Sequence, residues 1–572
     1  MDKTEKNIVN EVKGLVNRGI DRVAASLADI MARIPQHEVL KARVIATPDR
    51  MYMVDIPHNK KETYGEFWSR CKRLANVLTD LGIKKGDHVS TFSDDCIEMV
   101  EMIYACTMTG TIYTVVNSRY VGHEAEYIID HSDSKVVFSG PGRFAETINS
   151  IRSNLKKVEH YISWGDTQKD MLNYEELLSK ASDEEPKVKV SSSDFNALTY
   201  TSGTTGRPAG SLRRQRSHTN WELAMFMGWI TGPGGIIRRP ELLPRLLSAI
   251  RAGLKAMVFY PFFHWGGIVA LPMMPLLGAT YYMGSGLVKD TKTVLETVEK
   301  EKINLFACVP TIAVRIANYP DVDKYDLSSI VAYQNSGGAV DVRTRMRMKE
   351  LLPNAFHYEL YSSTEAIFSG ANIEAIGLES RGSGVQLPGT TLKVFDEEGK
   401  EVPRGTWGKI YVKAKDAGVH DGYYKDEDRT KRSKMIIDGE EWFTSEDVGY
   451  LDEEDGNLYI ADRSKDVINT GGELVGSLEV ESILSQHPKI AEVAVIGIPD
   501  PEYQERVTAV VVLKPGETAT SEEIMDWCRD KMAGFKRPRR VDFVDELPIV
   551  GADKIDKKVI REWYWKEEKL KV

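Results

Sequence analysis

The hydrophobic and polar positions at the start of the chain follow a helical period. In residues 1–45, apolar side chains recur three or four positions apart, at Val9, Val12, Val16, Ile20 and Val23. That spacing places them on one face of an α-helix. We therefore predict an N-terminal helix that packs on the body of the protein, with a membrane or partner helix as the alternative.

From about residue 50, helical and strand-like stretches alternate. Residues 64–83 have the pattern of an amphipathic helix, and residues 84–93 that of a turn followed by a short strand. Brief apolar runs stand between further helical stretches: VVFSG (136–140), HYISWG (160–165) and VFYPFF (258–263). This alternation predicts a largely parallel, layered sheet.

The pattern changes near residue 462, where a strand leads into a polar turn that contains glycine. Helix, strand, strand and helix patterns then follow, in the segments VESILSQH (480–487), EVAVIGIPD (492–500), RVTAVVVLKPG (506–516) and SEEIMDWCRDKM (521–532). We predict an α/β protein whose large N-terminal domain, residues 1–464, has several subdomains of layered sheets and helices. A small α+β domain, residues 465–572, follows it.

Composition and charge remove several functional classes. The 572 residues are 42% hydrophobic and 28% charged, as is usual for a globular protein. A formal net charge of −10 does not favour nucleic-acid binding. The chain has no run of about 18 apolar residues, so we predict no transmembrane helix. The N-terminus lacks the apolar core of a signal peptide. We expect a cytoplasmic protein.

The cysteines also argue for a reducing compartment. The chain has five, at scattered positions and without a CxxC pair: Cys71, Cys96, Cys106, Cys308 and Cys528. This spacing supports neither a zinc site nor a disulfide framework.

One basic segment stands out in the acidic chain. Residues 207–255 contain nine basic residues against the two acids Glu222 and Glu241, a local charge of about +7. Such a segment favours an anion site or an anionic surface partner. Within it, residues 240–257 predict a helix packed on the core; a basic amphipathic surface that touches membrane or acyl chains is the alternative.

The loop at residues 198–210, LTYTSGTTGRPAG, is the most informative stretch. A β-rich run from Ala197 to Tyr200 enters it, and its glycines permit close approach of the backbone. Hydroxyl groups and backbone N–H groups in such a loop form a nest for phosphate. The Walker A pattern is absent, and on its own the segment is equally compatible with a flexible turn.

Seven other segments combine glycines with aromatic, hydroxyl, carboxylate or basic residues. They are YPFFHWGG (260–267), NSGGA (335–339), YSSTE (361–365), WFTSED (442–447), DRSKD (462–466), NTGGELV (469–475) and LPIVGADKIDKK (547–558). Aromatic faces can stack on a base, and paired carboxylate oxygens can accept two hydroxyls. A carboxylate can also hold Mg²⁺ against phosphate oxygens.

In their order along the chain, these segments and the 198–210 loop resemble the motifs of the adenylate-forming superfamily. That superfamily comprises acyl-CoA synthetases, adenylation domains and luciferases, and the resemblance to AMP-forming acyl-CoA synthetases is greatest. It extends from about residue 40 to residue 563. It implies ATP, Mg²⁺, coenzyme A and a carboxylic acid as ligands, and a small C-terminal domain that moves.

The resemblance implies a nucleotide site in the N-terminal domain. Thr364 would meet the α-phosphate, and Glu365 would hold Mg²⁺. The other implied contacts are Thr201, Ser202, Gly203, Thr204, Thr205 and Gly206 for phosphates, Gly337, Gly338, Ala339, Tyr361 and Ser362 around adenine, and Asp447 and Arg463 for ribose.

The remaining implied roles concern the acid, coenzyme A and domain motion. His264 would gate the carboxylate site, although a lone histidine is more often a packed core residue. Lys465 would be the hinge, and Gly471 and Gly472 would line the pantetheine tunnel. Lys554 would be the catalytic lysine.

Four residues depart from the family pattern, among them Ser445, which stands where threonine is usual. Ala209 stands where a phosphate-loop lysine is usual, and Arg207, Arg213, Arg214 and Arg216 are the alternative sources of charge. Glu446 replaces a glycine beside Asp447, and we expect its side chain to point away from the nucleotide. Asp553 replaces the glycine before Lys554.

The resemblance implies an ATP-dependent carboxylic acid:CoA ligase that works through an acyl-adenylate. The pocket segments combine bulky apolar residues with small ones, namely Trp229, Trp265 and Phe368 with Gly337, Gly338 and Ala339. This mixture favours a mostly apolar acid, of medium-chain, aryl or alicyclic type. The alternatives are an enzyme that loads a carrier protein in trans and a non-catalytic relative that binds acyl or nucleotide ligands. Peripheral membrane contact and a homo-oligomer are also compatible with the sequence.

Overall fold

The computed structural model describes residues 33–568 except 166–167, 202–207, 219–242, 339, 341, 373–382, 388–389, 397, 415–418, 455, 464–465, 471–472, 501–502, 530 and 551–553. The predicted N-terminal helix therefore falls mostly outside the described residues. The described α-helices are α1 (Gln36–Ala46), α2 (Tyr64–Asp80), α3 (Ile97–Thr109), α4 (Gly122–His131), α5 (Arg143–Ile151), α6 (Tyr174–Lys180), α7 (Leu243–Ala252), α8 (Trp265–Leu277), α9 (Thr291–Glu301), α10 (Pro310–Ala317), α11 (Val342–Leu351), α12 (Glu427–Arg432), α13 (Ser477–Leu484), α14 (Ser521–Trp527) and α15 (Lys557–Glu568).

The strands are distributed along the whole described chain. The first fourteen are β1 (Met51–Asp55), β2 (Lys60–Thr63), β3 (His88–Phe92), β4 (Ile112–Val116), β5 (Ser134–Ser139), β6 (His160–Ser163), β7 (Leu172–Asn173), β8 (Phe195–Thr201), β9 (Ala209–Arg214), β10 (Lys255–Val258), β11 (Thr280–Met283), β12 (Leu305–Cys308), β13 (Ala332–Ser336) and β14 (Phe356–Ser362). The others are β15 (Ile367–Asn372), β16 (Val385–Gln386), β17 (Leu392–Phe395), β18 (Gly408–Lys413), β19 (Gly422–Tyr423), β20 (Lys434–Ile437), β21 (Glu440–Leu451), β22 (Leu458–Arg463), β23 (Ile468–Thr470), β24 (Glu473–Val475), β25 (Ile490–Asp500), β26 (Gln504–Leu513), β27 (Arg540–Phe543), β28 (Ile549–Val550) and β29 (Lys554–Ile555).

Two large sheets form the body of the protein. Within the described residues, one has nine strands in the order β16-β15-β14-β13-β12-β10-β11-β1-β2, and the other has eight in the order β19-β9-β8-β4-β3-β5-β6-β7. Both are parallel in their centres and antiparallel at an edge. In sheets of this kind, ligands bind outside the carboxyl ends of the strands, so the segments that follow β8, β10, β13 and β14 are where a site is expected.

Two smaller sheets complete the fold. Strands β17, β18, β21, β20 and β22 form an antiparallel sheet. Strands β23 to β27 form a separate sheet near the C-terminus, in which β25 and β26 form a long antiparallel pair. The predicted α/β fold, with a large N-terminal and a small C-terminal domain, is confirmed. The predicted boundary at Lys465 lies outside the described residues.

Local sequence explains several element boundaries. Helix α2 begins with a capping box, in which the Thr63 side chain accepts from the Glu66 backbone and the Glu66 carboxylate accepts from the Thr63 backbone. Helix α8 ends at Gly278, whose φ of +63° suits a residue without a side chain. The buried faces of α2, α3 and α8 share one large apolar core with the nine-stranded sheet.

The helix predicted for residues 240–257 is shorter than expected. Helix α7 ends at Ala252, and Lys255–Val258 is strand β10, which pairs with β11 and β12 on either side. Long-range pairing thus overrides the local helical pattern. The expectation of a core-packed helix is wrong for Leu247 and Ile250, which are 42% and 44% exposed.

All five cysteines are buried free thiols. None of the described helices combines the length and the apolar character that a membrane crossing requires.

Candidate active site

The strands that flank the predicted phosphate loop lie side by side. Thr201 ends β8 and is paired with Ala209 at the start of the antiparallel strand β9. The Thr201 hydroxyl donates to the Ala209 carbonyl across 3.5 Å. Ser202, Gly203, Thr204, Thr205 and Gly206 lie outside the described residues, so the structure places the base of this loop at the end of β8.

The predicted adenine segment follows β13. Ser336 ends this strand and donates its hydroxyl to the Leu360 carbonyl of the adjacent β14, at 3.1 Å. Gly337 has a φ of +93°, a conformation that disfavours any residue with a side chain. The backbone therefore turns sharply at the carboxyl edge of the sheet. Gly338 follows in the described chain, and Ala339 lies outside it.

The turn between β14 and β15 carries Thr364 and Glu365. The Ser363 hydroxyl accepts from the backbone N–H of Glu365 at 3.1 Å and of Ala366 at 3.3 Å. The His420 backbone N–H donates to the Glu365 carbonyl at 2.8 Å. The backbone of Glu365 is thus held through both its N–H and its carbonyl group. Ser362, the last residue of β14, is paired with Ile367 of β15.

The Glu365 side chain is only 9% exposed, and a tyrosine orients its carboxylate. The Tyr423 hydroxyl donates to Glu365 Oε1 at 2.9 Å. Burial and the Glu365 charge raise the pKa of Tyr423, so the phenol keeps its proton and remains a donor. This bond uses one lone pair of the Glu365 carboxylate, and the remaining lone pairs can bind a metal ion or accept other hydrogen bonds.

A buried guanidinium also contacts this turn. Arg213 donates from Nη2 to the Thr364 carbonyl, and its guanidinium carbon lies 3.8 Å from the centre of the Trp265 ring. Arg213 is fully buried, and burial lowers its pKa from 12.5 to about 9. It therefore stays protonated at neutral pH.

Two of the predicted nucleotide contacts touch each other. The Tyr361 hydroxyl donates to Asp447 Oδ2, which joins β14 of the nine-stranded sheet to β21 of the antiparallel sheet. Asp447 is 8% exposed, and in register it is opposite Arg463 of β22. Tyr361, Asp447 and the backbone of Arg463 thus lie together, as a shared adenine and ribose site requires.

The neighbouring Glu446 is solvent-exposed, in contrast to Asp447. Its φ of +66° is unusual for a residue with a side chain. The backbone here adopts the conformation that the glycine of the family pattern would adopt without cost.

The predicted gate residue His264 immediately precedes α8 and is half-buried. Its carbonyl accepts from the Gly267 N–H at 3.1 Å. A Cβ at Gly267 would lie 2.4 Å from the Pro261 carbonyl oxygen, so this tight turn accepts only glycine. The Trp265 ring lies between Arg213 and the His218 ring, whose centroid is 4.6 Å away.

The C-terminal site residues are placed only by their backbone. Lys554 begins β29 and is paired with Val550 of β28 in a two-stranded hairpin. Strands β23 and β24 pair on either side of Gly471 and Gly472. Those two glycines, Lys465 and Asp553 lie outside the described residues.

Sequence reasoning did not predict that Ser363, His420 and Tyr423 hold the turn, and it named Trp265 only as a bulky residue of the acid pocket. Arg213 was considered only as a source of charge for the phosphates. The Ser211 hydroxyl contacts His420 Nδ1 at 3.0 Å, so Arg213 and Ser211 face the same side of β9. The two-residue period of β9 could have shown that Ser211 and Arg213 share a face. The pairing of β9 with β19 depends on tertiary structure, and no local sequence pattern predicts it.

The donors in this region suit a metal ion that is shared with a bound phosphate. Among the described residues, no group of three or more His, Cys, Asp and Glu side chains is arranged to hold a metal ion. Mg²⁺ is commonly held by one or two carboxylates together with substrate phosphates and water. The fixed Glu365 carboxylate fits that pattern.

Comparison with known proteins identifies the family. A sequence model described as AMP-binding enzyme matches residues 40–424, and one described as AMP-binding enzyme C-terminal domain matches residues 479–554. A feruloyl-CoA synthase of an Amycolatopsis species is 31% identical over 87% of this chain and 93% of its own. A 3-oxocholest-4-en-26-oate–CoA ligase of Rhodococcus rhodochrous is 30% identical over 91% and 94%.

A solved structure shares the fold. The crystal structure of an anthranilate CoA ligase in complex with anthranoyl-AMP matches with a TM-score of 0.83 at 24% identity, over 94% of this chain and 98% of that one. The family models and the relatives together establish the classification. The chain belongs to the AMP-binding enzymes of the adenylate-forming superfamily, and it is an AMP-forming acid–CoA ligase of the acyl-CoA synthetase type.

Proposed function

We propose that this enzyme joins a mostly apolar carboxylic acid to coenzyme A in two steps, through an acyl-adenylate. The observation that carries the proposal is the immobilised turn at Thr364 and Glu365. It lies at the end of the strand that also carries Tyr361, and Tyr361 in turn contacts Asp447. Groups suited to phosphate, metal and ribose therefore occur within one connected set of contacts.

In the first step, an oxygen of the substrate carboxylate attacks the α-phosphorus of ATP, and the bond to pyrophosphate breaks. Negative charge on the phosphoryl oxygens calls for fixed positive charge and exact placement of the reactants. Lys554 bridges the carboxylate and the phosphate oxygens, and the Thr364 hydroxyl meets the α-phosphate. Asp447 accepts the ribose hydroxyls beside Arg463.

Glu365 holds Mg²⁺, which neutralises phosphate charge when it is bound. The loop from Thr201 to Gly206 binds the phosphates through backbone N–H and hydroxyl groups. Gly337, Gly338 and Ala339 form the wall of the adenine pocket, next to Tyr361 and Ser362.

In the second step, the C-terminal domain rotates about Lys465, which withdraws Lys554 and brings Gly471 and Gly472 to the site. The thiolate of coenzyme A attacks the acyl carbonyl carbon, the bond to phosphate oxygen breaks, and AMP leaves. A rotation is required because one site must present two sets of groups in turn.

The substrate class rests on the apolar residues beside the gate and on the relatives. Phe262, Phe263 and Trp265 are buried around the half-buried His264. The relatives named above are a feruloyl-CoA synthase and a steroid-acid CoA ligase, and both names describe largely apolar acids. Medium-chain, aryl and alicyclic acids are therefore the acids to test.

The test is release of pyrophosphate and AMP with a panel of these acids, with and without coenzyme A. The proposal predicts pyrophosphate with at least one apolar acid, and AMP and thioester only when coenzyme A is added. Acyl-adenylate that turns over with a carrier protein but not with coenzyme A would overturn the choice of acceptor. ATP binding with no pyrophosphate from any acid would favour the non-catalytic alternative.

A cytoplasmic location, peripheral membrane contact, self-association and the lack of a nucleic-acid partner stay predictions from the sequence.

A further inference from the structure

Strand β9 presents one face to the interior. Ala209, Ser211 and Arg213 alternate along it and are all buried, whereas Leu212 and Arg214 are half-buried. Successive side chains of a strand point to opposite faces. Arg214 pairs with Asp421 at 2.6 Å, while Arg213 extends to the Thr364 carbonyl. The two neighbouring arginines thus have different surroundings.

Arg213 contacts two elements that the proposed function uses separately. One is the turn whose carbonyl it binds at Thr364, next to the Glu365 carboxylate. The other is the first residue of α8, because the guanidinium stacks on Trp265 at 3.8 Å. Trp265 directly follows the gate residue His264, so one side chain joins the nucleotide turn to the acid gate.

The charges around Arg213 suit this arrangement. Glu365 and Asp421 favour its protonated form, against the opposing effect of burial. His218 and His420 lie close by, and burial together with the Arg213 charge lowers the pKa of both rings. Both histidines are therefore neutral at physiological pH, and Arg213 faces Glu365 as a positive charge.

We propose that Arg213 is a positioning residue that fixes the Thr364–Glu365 turn against Trp265, so that the nucleotide and the acid meet in one geometry. The inference rests on the proposed function. Arg213 does not take the place of the phosphate-loop lysine, because it lies four residues beyond Ala209, about 13 Å along a strand. It acts on the phosphates only through the turn that it holds.

The chemistry of the side chain explains why arginine is required. A planar guanidinium can stack on an indole with its face and donate hydrogen bonds from its edge. Lysine keeps the charge but loses the planar stack. Methionine keeps much of the volume and removes the charge, and exchange of a buried charge for an apolar residue is often tolerated by the fold.

The test compares Arg213→Met, Arg213→Lys and the matched control Arg152→Met in the full chain. Arg152 also stacks on an aromatic ring, that of Tyr161 at 4.0 Å, and donates to a backbone carbonyl. Three quantities are measured: pyrophosphate formation with an acid that the wild type accepts, thioester formation from synthetic acyl-adenylate and coenzyme A, and the melting temperature. We expect Arg213→Met to lower kcat for pyrophosphate formation about 10- to 100-fold, with a smaller change in KM for ATP. Arg213→Lys should lie between it and the wild type.

Thioester formation from supplied acyl-adenylate should stay within about twofold in Arg213→Met, because that step does not need the immobilised turn. The control Arg152→Met should resemble the wild type in both steps. Wild-type pyrophosphate formation in Arg213→Met, or equal loss of both steps together with a lower melting temperature, overturns the inference.

A separate measurement distinguishes failure of this inference from failure of the proposed function. If the wild type releases no pyrophosphate with any acid, the proposed function is wrong. The inference is then judged by calorimetric binding of a nonhydrolysable ATP analogue with Mg²⁺. Arg213→Met should weaken that binding at least about threefold and Arg152→Met should not; equal affinities overturn it.

Discussion

The phenol of Tyr361 donates a hydrogen bond to the carboxylate of Asp447, 86 residues further along the chain. This contact joins two sheets that are separate in their strand pairing. It also orients a carboxylate that has further lone pairs to offer to ribose hydroxyls. One bond therefore links the predicted adenine contact to the predicted ribose contact.

Removal of this bond should weaken nucleotide binding and leave the aromatic face intact. A hydrogen bond to a charged group contributes about 1.5 to 3 kcal/mol. We expect Tyr361→Phe to raise the KM for ATP about tenfold, which corresponds to about 1.4 kcal/mol. Tyr411→Phe is the control and should leave KM unchanged; Tyr411 lies on β18, which pairs with the β21 strand of Asp447. Equal values of KM in the two variants would show that the bond does not orient Asp447 for ATP.

The local pattern of the sequence predicted the elements better than their contacts. The strand expected at residues 197–200 is β8, and the helix expected at residues 64–83 is α2. Residues 255–258 were expected to be helical and are a strand, because neighbours far away in sequence pair with them. Local periodicity carries no information on such partners.

The same limit applies to the site. Motifs located Thr364, Glu365, Tyr361 and Asp447, since their spacing within short segments is specific. Motifs did not reveal that Tyr423 holds Glu365, because this contact spans 58 residues and depends on the pairing of β19 with β9.

The backbone at Glu446 predicts a stabilising substitution. A residue with a side chain in the left-handed region costs about 1 to 2 kcal/mol relative to glycine, and Glu446 has a φ of +66°. We expect Glu446→Gly to raise the free energy of unfolding by about 1 kcal/mol, measured by denaturant titration. Glu441→Gly, in the same strand at ordinary φ, should lower it. Destabilisation by both would contradict the assigned conformation.

The carboxyl of Asp95, a half-buried residue, predicts a pH-dependent stability. Both of its oxygens accept from the Phe262 backbone N–H, at 3.3 and 3.2 Å. Burial raises the pKa of Asp95 from 3.8 to about 7, and the charges of Asp94 and Asp55 add to the effect, whereas hydrogen bonds from Ser285 and Phe262 oppose it. The folded protein thus keeps a proton that the unfolded chain releases near pH 4, so this group lowers stability as pH rises from about 4 to 7.

Asp95→Asn removes this titration and keeps an acceptor for Phe262. The melting temperature of Asp95→Asn minus that of the wild type should therefore increase between pH 5 and pH 7, as measured by calorimetry. Asp80→Asn, at an exposed position at the end of α2, should show a constant difference. Parallel pH profiles of Asp95→Asn and wild type would contradict the raised pKa.

Lys554 is predicted to serve one half-reaction only. Loss of one donor to a transition state commonly costs about 10² to 10³ in rate, and we expect that loss in pyrophosphate formation by Lys554→Ala. Thioester formation from supplied acyl-adenylate should persist, because the lysine is withdrawn in that step. Lys558→Ala, at an exposed position on the adjacent helix, is the control. A loss smaller than about tenfold in Lys554→Ala would remove the assigned role.

The proposed mechanism requires that the substrate carboxylate itself attacks the α-phosphorus of ATP. The most direct measurement is a turnover with an acid labelled with ¹⁸O in both carboxylate oxygens, with mass analysis of AMP, pyrophosphate and thioester. Such an attack transfers one ¹⁸O to the AMP phosphate, leaves one in the thioester carbonyl and puts none into pyrophosphate. Unlabelled AMP, or label in pyrophosphate, would contradict an acyl-adenylate mechanism.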